Sequence, residues 1–159
     1  MGIFGSKKEK KPTLMEDIKK SSAWIMLALN SSGYKVDGSI ESLREVERFF
    51  CEQMDDNTHT PKPGGLLSEK MGQRLLSIGS FVGEALIKEH GGNWFTNAGN
   101  VKDDEIVTAV QLRNGTIAWP VQWVMQRYKE GPKYNIYDYV IEIGKKEMSV
   151  GYKFAGVPQ

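Results

Sequence analysis

Few side chains in this sequence could act as a nucleophile or as a general base. The chain has two histidines, His59 and His90, and one cysteine, Cys51. Histidine is the usual base of a nucleophile–base pair, but His59 falls in a polar stretch and His90 at a predicted helix C-terminus, where the helix dipole favours its cation. Cys51 has no cysteine or histidine at metal-ligand spacing, so we expect a small, partly buried side chain. These residues favour a protein without catalytic activity.

The remaining residues that could bind a metal or act as a general acid are the carboxylates. Residues 55–56 and 103–105 are acidic clusters in predicted loops, and neither has the spacing of a calcium-binding loop. Glu84 lies four residues before Lys88, a spacing that predicts an ordinary ion pair on a helix surface. We therefore expect neither a metal nor a cofactor.

A second possibility stays open, namely a small ligand-binding or hydrolytic domain with its site between the longest helix and the sheet. Its candidate residues are Glu84 and His90 as catalytic groups and Trp94 as a ligand contact. A concave pocket with convergent polar groups around them would favour this alternative. A convex surface with exposed aromatic residues would favour a binding protein.

Helical periodicity and end signals indicate the elements that position these residues. We expect helices at residues 13–30, 42–54, 67–90, 120–130 and 136–143. Ser42 and Glu45 have the spacing of a capping box at the start of the second helix. Pro120 suits the first position of the fourth helix, and Asn135 can cap the fifth. Residues 55–65 are predicted to form a loop.

The third predicted helix is the longest and is central to the expected fold. Its buried face is an apolar stripe of Met71, Leu75, Ile78, Val82 and Leu86. Gly72, Gly79 and Gly83 lie on one flank of that stripe, and glycine destabilises a helix interior. We therefore expect another backbone to pack closely against this flank. Ser77 and Ser80 are expected on the polar side.

A small antiparallel meander is predicted between the third and fourth helices. Its strands are expected at residues 94–96, 106–113 and 116–119, with a two-residue type I′ turn at Asn114-Gly115. In that register Leu112 faces Ile117 and Val110 faces Trp119, so the four share one sheet face. Residues 150–154 could add a strand. The fold class is α+β, with five helices around the three-stranded sheet.

Charge and hydropathy exclude several classes of protein. The 21 Lys and Arg residues nearly balance 20 Asp and Glu, whereas nucleic-acid-binding proteins usually carry a clear positive excess, so we expect no nucleic-acid partner. The longest apolar run, residues 23–29, is too short to span a bilayer.

Residues 1–12 are predicted to be a flexible basic tail, and residues 13–159 a single domain. The first residues fit a myristoylation pattern, but we expect no stable membrane anchoring and a cytoplasmic location.

Aromatic residues are concentrated near the end of the chain. Residues 119–139 hold six of the sixteen aromatic residues. On the fourth helix the predicted inward stripe is Val121, Val124, Met125 and Tyr128. Trp123 lies opposite that stripe, and Tyr137 and Ile141 lie off the inward face of the fifth helix. Because Trp and Tyr are common interface anchors, we expect these three to bind another protein or a second copy, unless the C-terminal tail covers them.

Several stretches resemble an uncharacterised bacterial family of domain-of-unknown-function proteins. The resembling residues are 38–43, 79–94, 120–127, Gly131 and Ile136-Tyr137. They mark the ends and turns of secondary-structure elements and are not catalytic signatures, so the resemblance implies no catalytic residues. It implies a bacterial cytosolic protein. Together with the absent catalytic groups, it favours a non-enzymatic interaction protein of immunity-like or regulatory type.

Overall fold

The α+β class and the five predicted helices are confirmed by the computed structural model, which describes residues 14–96, 108–113 and 115–148. The helices are α1 (Leu14–Ser31), α2 (Leu43–Gln53), α3 (Met71–His90), α4 (Pro120–Glu130) and α5 (Ile136–Met148). The strands are β1 (Met54–Asp55), β2 (Thr60–Pro61), β3 (Gly92–Thr96), β4 (Thr108–Leu112) and β5 (Ile117–Ala118). The predicted basic tail and the strand at 150–154 lie outside the described residues.

α3 is the central helix, packed between α1 and α4 and against the sheet. Four of its five predicted apolar residues are buried, namely Leu75, Ile78, Val82 and Leu86. Met71 is exposed, which corrects the prediction, because α3 starts there and not at residue 67. A 3₁₀ turn at Leu66–Ser68 precedes it, and Lys70 adopts a left-handed conformation with φ of 49° that interrupts the helix.

The glycine flank of α3 receives other elements at two of its three positions. A Cβ atom on Gly79 would lie 2.6 Å from the Cα atom of Val121 in α4, so the predicted close approach of a backbone is confirmed. At Gly83 a Cβ atom would collide with the indole ring of Trp94. Gly72 has no atom within 4 Å of a built Cβ, and the prediction was wrong there.

Two serines of α3 are buried although they were expected on its polar side. Ser77 and Ser80 are 6% and 0% exposed. Each hydroxyl donates to the carbonyl oxygen four residues earlier, at 3.0 Å for Ser77 and 2.8 Å for Ser80. Because these hydrogen bonds stay within the helix, both small residues can pack against apolar neighbours.

The three-stranded sheet is an antiparallel meander in the order β3-β4-β5, as predicted, but its second turn differs. The Leu112 amide donates to the Thr116 carbonyl at 2.8 Å, so the turn has three residues, 113–115, and not two. Gly115 has a φ of 99°, the left-handed conformation that the last residue of such a turn requires.

The longer turn changes which residues face the core. Val110 lies opposite Ala118, and not opposite Trp119 as predicted. The buried residues of this hairpin's inner face are Val110, Leu112, Thr116 and Ala118. A shift of one residue reverses the face of every side chain on a strand, so Ile117 and Trp119 are only partly buried.

The start of α2 lacks the predicted capping box. The Ser42 hydroxyl donates to the Ser39 carbonyl at 2.9 Å, and the Glu45 carboxylate accepts from the Lys35 amide at 3.1 Å. The preceding turn therefore uses both side chains. The predicted loop after α2 also contains the short antiparallel pair β1 and β2, in which Asp55 lies opposite Thr60.

α4 has the predicted bounds but not the whole predicted inward stripe. Val121 and Val124 are buried, whereas Met125 is 37% exposed, which corrects the prediction.

Arg127 of α4 is also fully buried, and its Nε donates to Glu47 Oε2 of α2 at 2.8 Å. Glu47 Oε1 accepts from the Ile136 amide of α5 at 2.9 Å. The Glu47 carboxylate therefore neutralises the charge of Arg127 in the core. Its two hydrogen bonds connect α2 with α4 and α5. Cys51 of α2 is exposed, which corrects the expectation of a partly buried side chain.

α5 begins as predicted and continues further than residue 143. Asn135 Oδ1 accepts from the Asp138 amide at 2.8 Å, so its role as N-cap is confirmed. The buried side chains of α5 include Ile136, Val140 and Ile143. In the described part of the chain, no helix has the length and apolar character needed to cross a bilayer.

Candidate functional site

Two of the residues considered for a ligand-binding or hydrolytic site lie in contact. Trp94 Nε1 donates to Glu84 Oε2 at 2.7 Å, and the Trp94 ring packs over Gly83. Glu84 also pairs with Lys19 of α1 at 3.4 Å, and not with Lys88 as the spacing predicts. α1 packs against this side of α3, so the cation that pairs with the Glu84 carboxylate is Lys19 of α1 and not a residue of α3 itself.

His90, the third candidate, lies on a different side of α3. It is six residues beyond Glu84, or about 240° further round the helix. Its Nε2 faces α5, where a Cβ atom built on Gly144 would be 3.1 Å away. The structure therefore brings Glu84 and Trp94 together but not His90. A shallow cleft of about 300 Å³ borders Glu84 and is also lined by Lys19, Asp37 and Lys88.

Trp123, the central residue of the predicted protein-binding surface, contacts the start of α5. Its ring stacks on Tyr139 with centroids 4.2 Å apart and meets Tyr134 edge-on at 4.9 Å. Its Nε1 donates to the carbonyl oxygens of Tyr134 and Asn135 at 3.0 and 3.1 Å. Trp123 is therefore partly buried against described residues. The C-terminal tail that was expected to cover it lies outside them.

Tyr137 and Ile141, the other two residues of that surface, are also partly buried. The Tyr137 hydroxyl donates to Glu41 at 3.1 Å, and the Arg44 guanidinium lies 4.1 Å above the Tyr137 ring. Hydrogen bonds from Arg44, and next from Tyr137, hold the pKa of the Glu41 carboxyl below its ordinary value. The binding role of Trp123, Tyr137 and Ile141 stays a prediction.

A more exposed apolar surface lies on α1, where the sequence analysis placed no site. Trp24 is 43% exposed and Leu27, one turn further along, is 67% exposed. Trp24 also lines an open cleft of about 520 Å³ between α1 and the start of α3. We call this the α1–α3 cleft; its charged and aromatic lining residues are Asp17, Lys20, Trp24, Lys70 and Arg74.

The aromatic wall of the α1–α3 cleft is held in place by one arginine. The Arg74 guanidinium lies 5.0 Å from the centroid of the Trp24 ring. Its Nη1 donates to the Leu66 carbonyl at 2.8 Å, which anchors the guanidinium to the 3₁₀ turn before α3. A cation over an aromatic ring is stabilising, so Trp24 presents a pre-organised apolar surface.

The α1–α3 cleft carries more positive than negative charge. Lys20, Lys70 and Arg74 line it together with a single carboxylate, that of Asp17. α3 begins directly after its N-cap residue, Lys70. Its first turn contains no acidic residue, and no side chain caps it. Since a helix N-terminus adds partial positive charge, the cleft favours negatively charged groups.

The sequence contained a signal for this surface. The longest apolar run of the chain, residues 23–29, covers almost two helical turns. A run of that length places apolar side chains on every face of a helix. α1 buries Ile18, Ile25 and Leu29, so Trp24 and Leu27 must point elsewhere. Periodicity alone does not show whether another element covers them.

The fold and its open clefts define an α+β domain with surface sites formed between helices. Within it, residues 61–139 form a DUF3806 domain, a family described as a domain of unknown function. The predicted resemblance to a family of domain-of-unknown-function proteins is thereby confirmed for these residues. The match begins in β2 and ends in α5, so it contains Lys70 and Arg74 of the α1–α3 cleft but not Trp24. No curated protein and no solved structure gives a significant match.

Proposed function

We propose that this chain is a non-enzymatic interaction protein, of immunity-like or regulatory type, which binds a partner protein at the α1–α3 cleft. The observation that carries the proposal is the exposed pair Trp24 and Leu27 beside that cleft. Large apolar side chains on the outer face of a helix, rimmed by charged residues, are typical of interaction sites. Trp is also among the residues most enriched at interface hot spots.

The charge of the cleft indicates the chemistry of the partner. Lys20, Lys70 and Arg74 outnumber the one carboxylate of Asp17. A partner segment with acidic residues would be complementary to these cations. A segment that also carries apolar side chains would bury Trp24 and Leu27. We therefore infer an acidic amphipathic segment, such as a helix lying against α1.

Two other classes of function have less support. A nucleic acid would contact a wider field of cations than the three in this cleft, and the net charge is only +1. A hydrolytic site would need a free carboxylate, whereas Glu84 already accepts from Trp94 and pairs with Lys19. A bacterial cytosolic location is part of the same proposal, and the single cysteine suits a reducing compartment.

The test is selection from a displayed library of acidic and neutral amphipathic peptides on the purified chain. We expect the selected peptides to combine Asp or Glu with Leu, Phe or Trp. Their affinity should fall at least tenfold, or about 1.4 kcal/mol, in Leu27→Asp and in the double variant Lys70→Glu with Arg74→Glu. Fluorescence anisotropy of labelled peptides gives the dissociation constants.

Met125→Asp is the matched control, because Met125 is an exposed apolar residue on α4, outside the cleft. It should leave peptide affinity unchanged. The proposal is wrong if acidic peptides are not enriched, or if Met125→Asp weakens binding as much as Leu27→Asp. Sedimentation tests self-association: a dimer dissociated by Leu27→Asp would identify a second copy as the occupant instead.

A further inference from the structure

A second open cleft adjoins the α1–α3 cleft, and Arg74 lines both of them. It has a volume of about 440 Å³ and lies between the end of α1, the helix α2 and the turn before α3. The Arg74 guanidinium is held by the Trp24 ring and by the Leu66 carbonyl, so the boundary between the two clefts is fixed. We call the second one the α1–α2 cleft; its polar and charged lining residues are Ser32, Tyr34, Gln53, Glu69 and Arg74.

The two clefts follow one another along α1. Lys20 and Trp24 line the α1–α3 cleft, whereas Ser32 of the α1–α2 cleft comes directly after the last residue of α1. The chain rises about 18 Å from Lys20 to Ser32, and the exposed Leu27 lies between them in the sequence. A partner helix of about 12 residues has the same length and can therefore contact both clefts at once.

The two clefts differ in charge, because two consecutive residues of opposite charge line different clefts. Lys70 lines the α1–α3 cleft and Glu69 the α1–α2 cleft. Glu69 has an extended backbone, in which consecutive side chains point in opposite directions. Within the described residues Glu69 pairs with no cation, whereas Glu52 of α2 already pairs with Arg48. The Glu69 carboxylate is therefore free to meet a positive charge.

We propose that the partner segment carries its charges in a defined order, with acidic residues over the α1–α3 cleft and one Lys or Arg over the α1–α2 cleft. This inference rests on the proposed function, since it assigns the charge pattern of the same partner. The acidic residues lie opposite Lys20 and Lys70, and the basic residue lies opposite Glu69. The opposite placement would set like charges against each other in both clefts, which is unfavourable. Charge order thus decides which end of the segment lies at which cleft.

The experiment measures the affinity of the purified chain for labelled peptides by fluorescence anisotropy. The parent peptide is an acidic amphipathic helix of Glu, Leu and Trp, and its extended forms carry one further Lys, Gln or Glu. The extra residue is added at either end, so that both chain directions are tested. At the end that reaches Glu69, we expect the Lys form to bind about two- to fivefold more tightly than the Gln form, the range for an exposed ion pair. The Glu form should bind more weakly than the Gln form.

Variants of Glu69 assign this preference to one carboxylate. The advantage of the Lys peptide should disappear in Glu69→Gln and change to an advantage of the Glu peptide in Glu69→Lys. Glu142→Lys is the matched control, because Glu142 is an exposed carboxylate on α5 outside both clefts, and it should leave the order of affinities unchanged.

The parent peptide separates this inference from the proposed function. If the parent binds but the Lys, Gln and Glu forms have equal affinity, the charge order is wrong and the proposed function stands. If Glu69→Lys leaves the advantage of the Lys peptide intact, the charge order is also wrong. Failure of all these peptides to bind overturns both proposals.

Discussion

The Glu52 carboxylate on α2 has one neighbour on its own helix and one from before that helix. Glu52 accepts from the Tyr34 hydroxyl at 2.6 Å and pairs with Arg48 at 3.0 Å. The hydrogen bond from Tyr34, followed by that from Arg48, lowers the pKa of the Glu52 carboxyl from its ordinary value of 4.5. Burial, and next the bond to Glu52, raises the pKa of the Tyr34 hydroxyl.

These shifts predict an acid-sensitive contribution to stability. The pKa of Glu52 is lower in the folded than in the unfolded chain, so its contribution is present above about pH 4.5 and is lost as the pH falls through the folded pKa. Tyr34→Phe removes the first hydrogen bond. We expect the pKa of Glu52 to rise towards 4.5 in that variant, measured by carbon-13 NMR of its carboxyl group.

Urea unfolding of the Tyr34→Phe variant between pH 2 and pH 6 gives the linked test. Its free energy of unfolding should fall less steeply on acidification than that of the unmodified chain. Asp138→Asn is the control, because it removes a carboxylate remote from Tyr34. An unchanged pKa of Glu52 in Tyr34→Phe would show that Arg48 alone lowers it.

At the scale of elements, the contact between α3 and α4 depends on one glycine. A side chain at Gly79 would meet the backbone of α4, because a Cβ atom there would lie 2.6 Å from Val121 Cα. Gly72, about two turns earlier on the same flank of α3, has open space around it. The two glycines therefore occupy the same stripe of α3 but have opposite tolerance for a side chain.

Gly79→Ala should destabilise the protein by about 1–3 kcal/mol, because α4 must move to accept the methyl group. Gly72→Ala should instead stabilise it by up to about 1 kcal/mol, since alanine favours the helix and restricts the unfolded chain. Urea denaturation followed by circular dichroism measures both. Similar changes of stability in the two variants would contradict the packing of α4 against Gly79.

On the scale of the whole molecule, one buried ion pair joins distant parts of the chain. Arg127 lies inside the DUF3806 domain at residues 61–139, whereas Glu47 lies outside it. Glu47 also accepts from the Ile136 amide at the start of α5. The carboxylate from α2 therefore neutralises a charge buried in the domain and fixes where α5 begins.

Removing one partner of this pair should cost more than replacing both. Glu47→Ala leaves the guanidinium buried without its carboxylate, and we expect a loss of about 3–5 kcal/mol. The double variant Glu47→Leu with Arg127→Met should recover most of that loss, because apolar residues of similar volume need no partner. Equilibrium urea unfolding of the single and double variants completes the cycle. A double variant no more stable than Glu47→Ala would contradict this account.

Local chemistry was sufficient to predict the five helices and the three-stranded sheet, but not the short pair β1 and β2 or the start of α3. Pro120 at the start of α4 and the Asn135 cap of α5 act over a few residues and are present as expected, as are four of the five residues of the predicted α3 stripe. The number of helices, the order of the meander and the α+β class follow from such signals. The resemblance to a family of domain-of-unknown-function proteins was also readable from the sequence.

Tertiary structure alone decided which partners the polar and aromatic side chains found. Glu84 pairs with Lys19 and not with its helical neighbour Lys88, and Trp123 stacks on Tyr139 of α5. The α1–α3 cleft and the α1–α2 cleft join residues from separate helices. Periodicity reports which face of one helix is apolar, but not which other helix meets that face, because long-range packing depends on all elements together. The sequence therefore determined the parts, and their packing determined the sites.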